Sequence, residues 1–426
     1  MQLEIRQFQV NDLMKGNETA LVEGILSLNT DELKEYLMQD ERIEQIQIDF
    51  ARPGESVRIF TVKDVIEPRA KMAGNVFPGL DGGMGTTGTG ITCVLKGCAV
   101  VTTGPIVGFQ EGVIDMSGPL TQYSQFSHVN NIVIHMTRKN EVGPHEHEEA
   151  VRLGGLRAAQ FIARKVMHAE SFEKKVLHWS SISEKTATNA TLPKVVYVYP
   201  CMSQGLLHDT YFYGKDTKQM VPTLVSPLDL MDGAVVSGNC VSPGSKTTTY
   251  HHQNNAVIQE CLHRDGKDIS FIGVVITPLM TTLEEKYRNA EITVRLVEML
   301  GADGVVQSQE GFGNPTTDMM MICQRLEARQ IKTVLISNED AGSDGRSESL
   351  PDGVEEADAI VSTGNSNATL TLPPMERVLG DPGAAEKVTG GFDGCLQPDG
   401  GMIIEIHGIM GSHNLQGCEK LGAVTI

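Results

Sequence analysis

The strongest constraint on the fold is an alternation of strand and helix patterns that begins near residue 194. Apolar runs of strand length alternate with amphipathic stretches that have the period of a helix. In order, these are the strands KVVYVYP (194–200) and DISFIGVVI (268–276), the helix 281–300, the strand DGVVQSQ (303–309), a helix ending near Leu326, the strand KTVLIS (332–337) and a further strand within 356–364. Such βαβ units build a parallel sheet with helices on its faces. We therefore expect a doubly wound, Rossmann-like α/β region.

The first ~130 residues have a different pattern, with short alternating runs broken by Pro and Gly that are typical of β-structure. Examples are IEQIQIDFA (43–51) and SVRIFTVKDVI (56–66). We expect three parts: a β-rich N-terminal domain at 1–135, an α/β region at 136–239, and an α/β domain at 240–426.

The charge balance disfavours two classes of partner. The chain has 35 basic and 54 acidic residues, a formal charge of −19. Nucleic acids and anionic membranes are bound mainly by basic patches, so we expect neither as a partner. No apolar run approaches the ~18 residues of a membrane span, and no signal-peptide pattern opens the sequence. We expect a cytoplasmic protein.

Two motifs suggest ligand sites but have simpler explanations. GLDGGMGTTGTG (79–90) contains a G-x-G-x-x-G at Gly83, Gly85 and Gly88, but a strand-like run follows it where a dinucleotide site needs a helix. We predict a turning loop there. HEHEE (145–149) is rich in metal-ligand types, but acidic residues also favour a helix N-terminus. We predict a solvated helix start and no metal site.

The loop EGFGNP (310–315) follows the end of a predicted strand, where open α/β sheets usually bind ligands. Asn314 and Pro315 would suit the N-cap and first position of the next helix. Capping does not account for Glu310 and the two glycines, so a structural and a functional interpretation both stay open.

The stretch VVSGNCVSPGSKTTTYHHQNN contains an Asn239–Cys240 peptide bond. A cysteine thiol can attack the preceding carbonyl to form a thioester, given a base and an oxyanion donor. β-Elimination then cuts the chain and leaves dehydroalanine, the sulfur leaves, and hydrolysis of this enamine by water yields ammonia and a pyruvoyl group at a new N-terminus. Gly238 would permit the unusual dihedrals that this requires. From these residues alone, an ordinary turn before a loop remains the alternative.

Several long motifs carry a family resemblance that runs essentially end to end. They are ARPGESVRIFTVKDVIEPR (51–69), GFQEGVIDMSG (108–118), HEHEEAVRL (145–153), QGLLHDTYFYG (204–214), MDGAVVSGNCVS (231–242), TTYHHQNN (248–255), EGFGNPTTD (310–318) and LPPMERVLG (372–380). With them the chain resembles the precursor of the pyruvoyl-bearing alpha and beta subunits of component B of the glycine, sarcosine and betaine reductases of amino-acid-fermenting anaerobes.

The resemblance implies cleavage between Asn239 and Cys240 into an alpha fragment (1–239) and a beta fragment (240–426). Cys240 becomes a covalent pyruvoyl cofactor that binds the amine substrate as a Schiff base. The family's partners are a selenocysteine-containing second subunit of component B, the selenoprotein component A and the acetyl-phosphate-forming component C. Reductive deamination then depends on these partners, which fits a chain without a C-x-x-C pair. The resemblance also implies a hetero-oligomer of cleaved chains.

The substrate is left open among glycine, sarcosine, betaine and related amines. The loop after Cys240 reads VSPGSKTTTY, where the family leads us to expect a second cysteine and more charge. Betaine has no N–H and cannot form an imine, so it would need another role for the pyruvoyl group.

Several side chains are candidates to assist at Cys240. One of His251 and His252 could be the base, because histidine titrates in the right range. His208 with Asp209 is a second candidate pair, Glu310 a third candidate, and hydroxyls of 247–249 could donate to an oxyanion. Two alternatives to the reductase remain: a pyruvoyl-dependent amino-acid decarboxylase, and an uncleaved α/β binding module.

Overall fold

A computed structural model of the chain describes residues 1–74, 77–81, 85–108, 110–205, 207–238 and 240–417. The helices in this part are α1 Thr30–Leu37, α2 Pro78–Asp81, α3 Pro144–Val166, α4 Ile182–Thr188, α5 Pro227–Asp232, α6 Thr249–Gln253, α7 Ala256–Arg264, α8 Leu283–Met299 and α9 Asn314–Glu327. Short 3-10 helices lie at Pro119–Gln122, Gln125–His128, Thr217–Gln219, Pro382–Ala384 and Ile406–Gly408.

The strands in the N-terminal part are β1 Gln2–Gln9, β2 Asp12–Lys15, β3 Ala20–Val22, β4 Ile25–Leu28, β5 Ile43–Ala51, β6 Val57–Ile66, β7 Arg69–Lys71, β8 Gly90–Lys96, β9 Cys98–Thr103, β10 Gly112–Asp115 and β11 Asn130–Arg138. They are followed by β12 Glu173–His178, β13 Lys194–Met202, β14 Tyr211–Phe212, β15 Lys215–Asp216, β16 Thr223–Val225, β17 Val235–Val236, β18 Ser270–Leu279, β19 Gly304–Gln307, β20 Lys332–Glu339, β21 Ile360–Asn365, β22 Thr369–Leu372, β23 Arg377–Leu379 and β24 Met402–Glu405. The described residues thus form a mixed α/β chain with several sheets.

The predicted strand and helix alternation builds a six-stranded sheet. Strands β18, β13, β19, β20 and β21 lie side by side in this order and run parallel, and β16 pairs antiparallel with β18 at the edge. All ten residues of β18 are buried. A strand covered on both faces needs a continuous apolar run rather than an alternating one, which is the pattern of its sequence.

Helices cover both faces of this sheet. On one face α8 and α9 pack against the strands in a cluster that includes Val196, Val198, Val275, Val294 and Leu326. On the other face α5 and α7 pack in a cluster that includes Tyr197, Tyr199, Met231, Val257 and Val274. The sheet therefore exposes its strand ends, and not its faces, to ligands.

Strands from later in the chain complete the N-terminal sheets. A four-stranded sheet has the order β12-β1-β8-β7, and a second sheet has the order β10-β6-β9-β11-β5 with β23 added on β6. Helix α3 packs against this region. The three predicted parts, 1–135, 136–239 and 240–426, stay a prediction; the pairings of β12 with β1 and of β23 with β6 show that they are in contact.

The structure changes some local expectations. Helix α3 begins at Pro144, and His147 and Glu148 are buried at 2% and 7% exposure, so the predicted solvated helix start is wrong for these two residues. Asn255 caps α7. The strand expected after the glycine-rich 79–90 segment is confirmed as β8. Gly83 of that segment lies outside the described residues.

Within the described ranges, no helix is both long enough and apolar enough to cross a membrane.

Candidate active site

A cavity of about 720 Å³ lies where the parallel strands of the six-stranded sheet end. Its wall includes Met202 at the end of β13, the loop after β19, Asn338 near the end of β20 and Ser366 just after β21. The volume is within the range of ~300–1,000 Å³ that is usual for small-molecule sites. Cys240 also lines this cavity. The carboxyl ends of parallel strands are the usual ligand site of open α/β sheets, so the cavity is the candidate active site.

Cys240 is 4% exposed and is held by main-chain carbonyls. Its N–H donates to the carbonyl oxygen of His208 (3.2 Å), and its thiol donates to the carbonyl oxygen of Gly108 (3.6 Å). Burial raises the pKa of the Cys240 thiol to about 11. The thiol is therefore protonated near neutral pH, and any attack by its sulfur needs a proton acceptor.

A buried ion network fixes the Gly108 loop against Cys240. The Glu111 carboxylate accepts the N–H groups of Val107 and Gly108, both at 2.9 Å. Lys63 Nζ lies 2.6 Å from Glu111 Oε1 and 2.7 Å from Glu148 Oε1. Burial disfavours the Lys63 charge, but Glu148 and Glu111 more than offset this and raise the pKa of Lys63. One lysine thus holds two buried carboxylates beside the thiol.

Lys246 is a second buried lysine at this place, 2% exposed and in the same loop as Cys240. Burial lowers the pKa of Lys246, and Asp64 opposes that shift. Among charged side chains, Lys246 has the largest influence on the thiol and favours its ionised form. The Asp64 carboxylate also accepts the N–H (2.9 Å) and hydroxyl (2.6 Å) of Thr249. A lysine whose pKa is lowered by burial is a suitable proton acceptor for Cys240 when it is neutral.

Gly238 is required by close packing. A Cβ at this position would lie 2.7 Å from the Asp209 carbonyl oxygen, 2.8 Å from Tyr211 Cε2 and 2.9 Å from Arg152 Cδ. Its φ is outside the left-handed region, so the expected need for unusual dihedrals gives way to a steric reason. Asn239 lies outside the described residues, and its part in cleavage stays a prediction.

The family described as glycine/sarcosine/betaine reductase component B subunits matches residues 1–424. The chain belongs to this family. Glycine reductase complex component B subunits alpha and beta of Peptoclostridium acidaminophilum are 45% identical to it over 425 residues, 99% of each chain. Sarcosine reductase complex component B subunit alpha of the same organism is 43% identical over 425 residues, again 99% of each.

A more distant relative is the D-proline reductase proprotein of Acetoanaerobium sticklandii, 21% identical over 363 residues, 79% of this chain and 54% of the relative. No solved structure matches the chain. The resemblance found in the sequence motifs is confirmed, and this component B chain has the role of a reductase subunit, an oxidoreductase.

The two adjacent histidines have different surroundings. His251 Nδ1 lies 3.0 Å from Thr248 Oγ1 at the start of α6, and its ring packs 5.0 Å from that of Phe126. Burial, with a further contribution from His252, lowers the pKa of His251 to about 3. His251 is therefore a neutral, buried part of the helix cap.

His252 instead meets another predicted catalytic residue. Its Nε2 lies 3.5 Å from Glu310 Oε1, and its Nδ1 bonds to the Tyr199 hydroxyl. Glu310 also accepts the Thr210 hydroxyl (2.8 Å) and the Met202 N–H. The structure therefore brings His252 and Glu310 together beneath the ends of β13 and β19.

The loop 310–315 lines the cavity, which favours its functional interpretation. The capping interpretation predicted Asn314 as the N-cap of α9. Gly313 occupies that position instead, with φ +87°. The Asn314 side chain is instead 2.8 Å from Gln204 Oε1, to which it donates. Gly311 has φ +74°, and a Cβ there would lie 2.4 Å from Met202 Cε, so neither glycine tolerates a side chain easily.

His208 and Asp209 bond to different neighbours. His208 Nδ1 is 3.3 Å from the Tyr211 hydroxyl. Asp209 accepts the Gly205 N–H at 2.7 Å and lies 3.0 Å from Lys218 Nζ, and burial raises the pKa of Asp209. His208 contacts Cys240 through its main-chain carbonyl, which accepts the Cys240 N–H.

The three threonines at 247–249 also have different surroundings. Thr248 caps α6 and Thr249 bonds to Asp64, whereas Thr247 Oγ1 is buried without a hydrogen-bond partner in the described part of the chain. Thr247 is the hydroxyl of this run that is left to donate to an oxyanion.

Two further residues were not found by sequence reasoning. Lys246 stands in a Ser/Thr/Gly loop and Asn338 in a strand, and neither has a sequence signal that distinguishes it from surface residues of the same type. Among the described residues, no group of three or more His, Cys, Asp and Glu could hold a metal ion.

Proposed function

We propose that this component B chain cleaves itself between Asn239 and Cys240, and that the pyruvoyl group formed from Cys240 binds the amine of a small substrate for reductive deamination. The observation that carries the proposal is the position of Cys240. It is buried, yet it lines the cavity at the carboxyl ends of a parallel sheet whose two faces are covered by helices. We assign this sheet to the doubly wound, Rossmann-like class.

The surroundings of Cys240 fit a pyruvoyl group. The cavity leaves space for a small amine beside this position, and Lys246 offers a buried cation that suits a polarised carbonyl oxygen. Lys246 and the main chain of His208 would hold the group. When present, it supplies an electrophilic carbonyl that withdraws electrons from the substrate nitrogen.

The residues of the chain itself account for the first step of cleavage. The Gly108 carbonyl orients the thiol through its S–H, and Lys246 takes the proton as the sulfur attacks the Asn239 carbonyl carbon. The Lys63 network holds the Gly108 loop during this step. The Thr247 hydroxyl is the candidate donor to the oxyanion.

We propose that reducing equivalents come from partner proteins, as the resemblance implies: a selenocysteine-containing second subunit of component B, the selenoprotein component A and the acetyl-phosphate-forming component C. The seven described cysteines support this, because all are buried and none forms a disulfide. Burial raises the pKa of Cys93 and of Cys323 to about 11, which keeps these thiols unreactive. A name of "proprotein" for one relative agrees with processing after synthesis.

Intact mass spectrometry of the purified protein tests the proposal. We expect two fragments, 1–239 and 240–426, with the second blocked to Edman sequencing and reactive with a carbonyl reagent. The variant Cys240→Ala should remain one chain of 46.2 kDa. A single wild-type chain, or a Cys240→Ala chain still split after residue 239, would contradict the proposal.

A further inference from the structure

A second cavity, of about 590 Å³, lies beside helix α6. Strands β1, β7, β8 and β12 contribute to its wall together with α5, α6 and α7. The described residues that line it are all different from those of the cavity at Cys240. Its volume is again in the range that is usual for small-molecule sites. The proposed function uses none of the residues in this wall, so the cavity needs an explanation of its own.

Two nitrogens of side chains in this wall have a hydrogen to donate and no acceptor. Arg69 is 2% exposed, and its Nη1 donates to the Met231 carbonyl oxygen at 2.9 Å while its Nη2 donates to Glu67. Its Nε has no hydrogen-bond partner in the part of the chain that the structure describes, and the same holds for the buried Gln125 Nε2. Buried donors are nearly always paired, so two in one cavity wall point to a ligand with acceptor atoms.

The charges of the wall favour an anion, although the whole chain has a formal charge of −19. Among the described residues, its charged side chains are the cations Arg69, Lys96 and Lys175 and the carboxylate Glu67. Glu67 is 1% exposed, and its Oε1 lies 2.8 Å from Lys96 Nζ. Burial alone would raise the pKa of Glu67, but Lys96 and Arg69 more than offset this and lower it, so the carboxylate stays ionised. One carboxylate between two cations leaves a positive charge that an anion would balance.

We propose that this cavity binds a small organic oxyanion, whose carboxylate or phosphate group accepts hydrogen bonds from Arg69 Nε and Gln125 Nε2. Arginine binds both kinds of group strongly through its N–H donors. Six amide side chains, from five Gln and one Asn, line the cavity and offer donors and acceptors to the rest of the ligand. The ligand therefore carries a negative charge and has a polar body.

Isothermal titration calorimetry of the purified protein tests the site, whether the chain is cleaved or not. The probes are inorganic phosphate and citrate, with sodium chloride at equal ionic strength as the control for general charge screening. We expect at least one probe to bind saturably with a Kd below ~10 mM, and chloride to give no saturable heat. The tighter probe identifies the bound group as phosphate or carboxylate. If neither probe binds within this range, the proposal is overturned.

The variant Gln125→Leu removes one donor at a similar volume and leaves the ion pairs of Arg69 in place. It should weaken the tighter probe about 10-fold, because a hydrogen bond to a charged group is lost. Gln122→Leu is the matched control, since Gln122 is exposed, lies in the preceding 3-10 helix and does not line the cavity. Equal binding by the two variants would place the anion elsewhere and overturn the site.

The variant Arg69→Lys keeps the positive charge and removes the Nε–H. It should weaken the same probe at least ~10-fold. Urea unfolding shows whether this variant is folded, because Arg69 also bonds to Glu67 and Met231. A folded Arg69→Lys chain that binds like the wild type overturns the role of Nε, and Gln125→Leu decides the site if Arg69→Lys does not fold.

A pair of lysine variants separates the site from general attraction of anions. Lys175→Met removes a cation of the wall, whereas Lys174→Met makes the same change at the neighbouring position of β12, where Lys174 is 55% exposed and does not line the cavity. Neighbouring residues of a strand face opposite sides. We expect Lys175→Met to weaken binding about 3-fold and Lys174→Met to leave it unchanged. Equal losses would show attraction by the surface as a whole and contradict the site.

Discussion

Two buried polar clusters lie near the loop that carries Cys240, and they are built differently. The lysine cluster consists of Lys63, Asp64, Glu111, Glu148 and Lys246. The His252 cluster consists of Tyr199, His252 and Glu310. In the lysine cluster the carboxylates face lysines. In the His252 cluster, the Glu310 carboxylate meets a main-chain N–H, a hydroxyl and an imidazole.

The difference indicates two separate tasks. Charges in a dry site shift the proton affinity of their neighbours strongly, so the lysine cluster can control the thiol of Cys240. Hydrogen bonds from main chain and hydroxyls fix geometry, so the His252 cluster holds the end of β13 against the loop after β19. Sequence reasoning placed the base among the histidines, whereas the surroundings of Cys240 favour Lys246.

The largest effect should come from removing the proton acceptor. Lys246→Met should slow self-cleavage by roughly 10²–10⁴-fold, the usual contribution of a general base. The fraction of full-length chain during expression, followed by denaturing electrophoresis, measures this. Lys185→Met is the matched control, because Lys185 is equally buried at 2% but pairs with Asp265. Cleavage of Lys246→Met at the wild-type rate would remove Lys246 from the mechanism.

Breaking the ion network should cost more stability than any change in the His252 cluster. Lys63→Met leaves Glu111 and Glu148 buried without their cation and should lower the free energy of unfolding by about 3–5 kcal/mol. Urea unfolding measures the loss. Adding Glu148→Gln should recover part of it, because one uncompensated charge is removed. If Lys63→Met lowered the free energy of unfolding by less than ~1 kcal/mol, the lysine cluster would not depend on charge pairing more than the His252 cluster does.

The His252 cluster should tolerate change better. Glu310→Gln keeps the shape and leaves one oxygen for Met202 and Thr210, which both donate to Glu310 Oε2, but it removes the charge and places an NH₂ group beside His252 Nε2. We expect a loss of about 1–3 kcal/mol in urea unfolding. A loss as large as that of Lys63→Met would show that Glu310 also depends on a charge partner.

A further effect concerns pH and the neutral His251. Its pKa falls from 6.5 to about 3 on folding, so below pH 6.5 the unfolded chain takes up a proton that the folded chain does not. Its contribution to stability is complete above pH 6.5 and is lost as the pH falls towards 3, by about 1.4 kcal/mol per pH unit. The free energy of unfolding is measured against pH for the wild-type chain and for His251→Gln, and the difference between the two slopes is the contribution of His251. Equal slopes between pH 6 and 4 would contradict a buried neutral His251.

Much of the fold could be predicted because its elements have distinct patterns. The apolar run of β18 and the helical period of α8 are local properties, and both elements formed within a few residues of the predicted bounds. Helix caps were harder to predict. Gly313, and not Asn314, is the N-cap of α9, because a shift of one residue changes which side chain reaches the first turn.

The family and the parallel strands could be predicted from the order of residues along the chain, as could the place of Cys240 in the loop before the two histidines. Which polar residues are buried together follows from the tertiary structure. Lys246, Lys63 and Asn338 are ordinary residues in sequence. Burial, with a further contribution from Lys63, lowers the pKa of Lys246. The fold pairs Lys63 with two carboxylates and leaves Asn338 Oδ1 without a hydrogen-bond partner among the described residues. Burial depends on contacts between segments far apart in the chain, so no local pattern could have shown it.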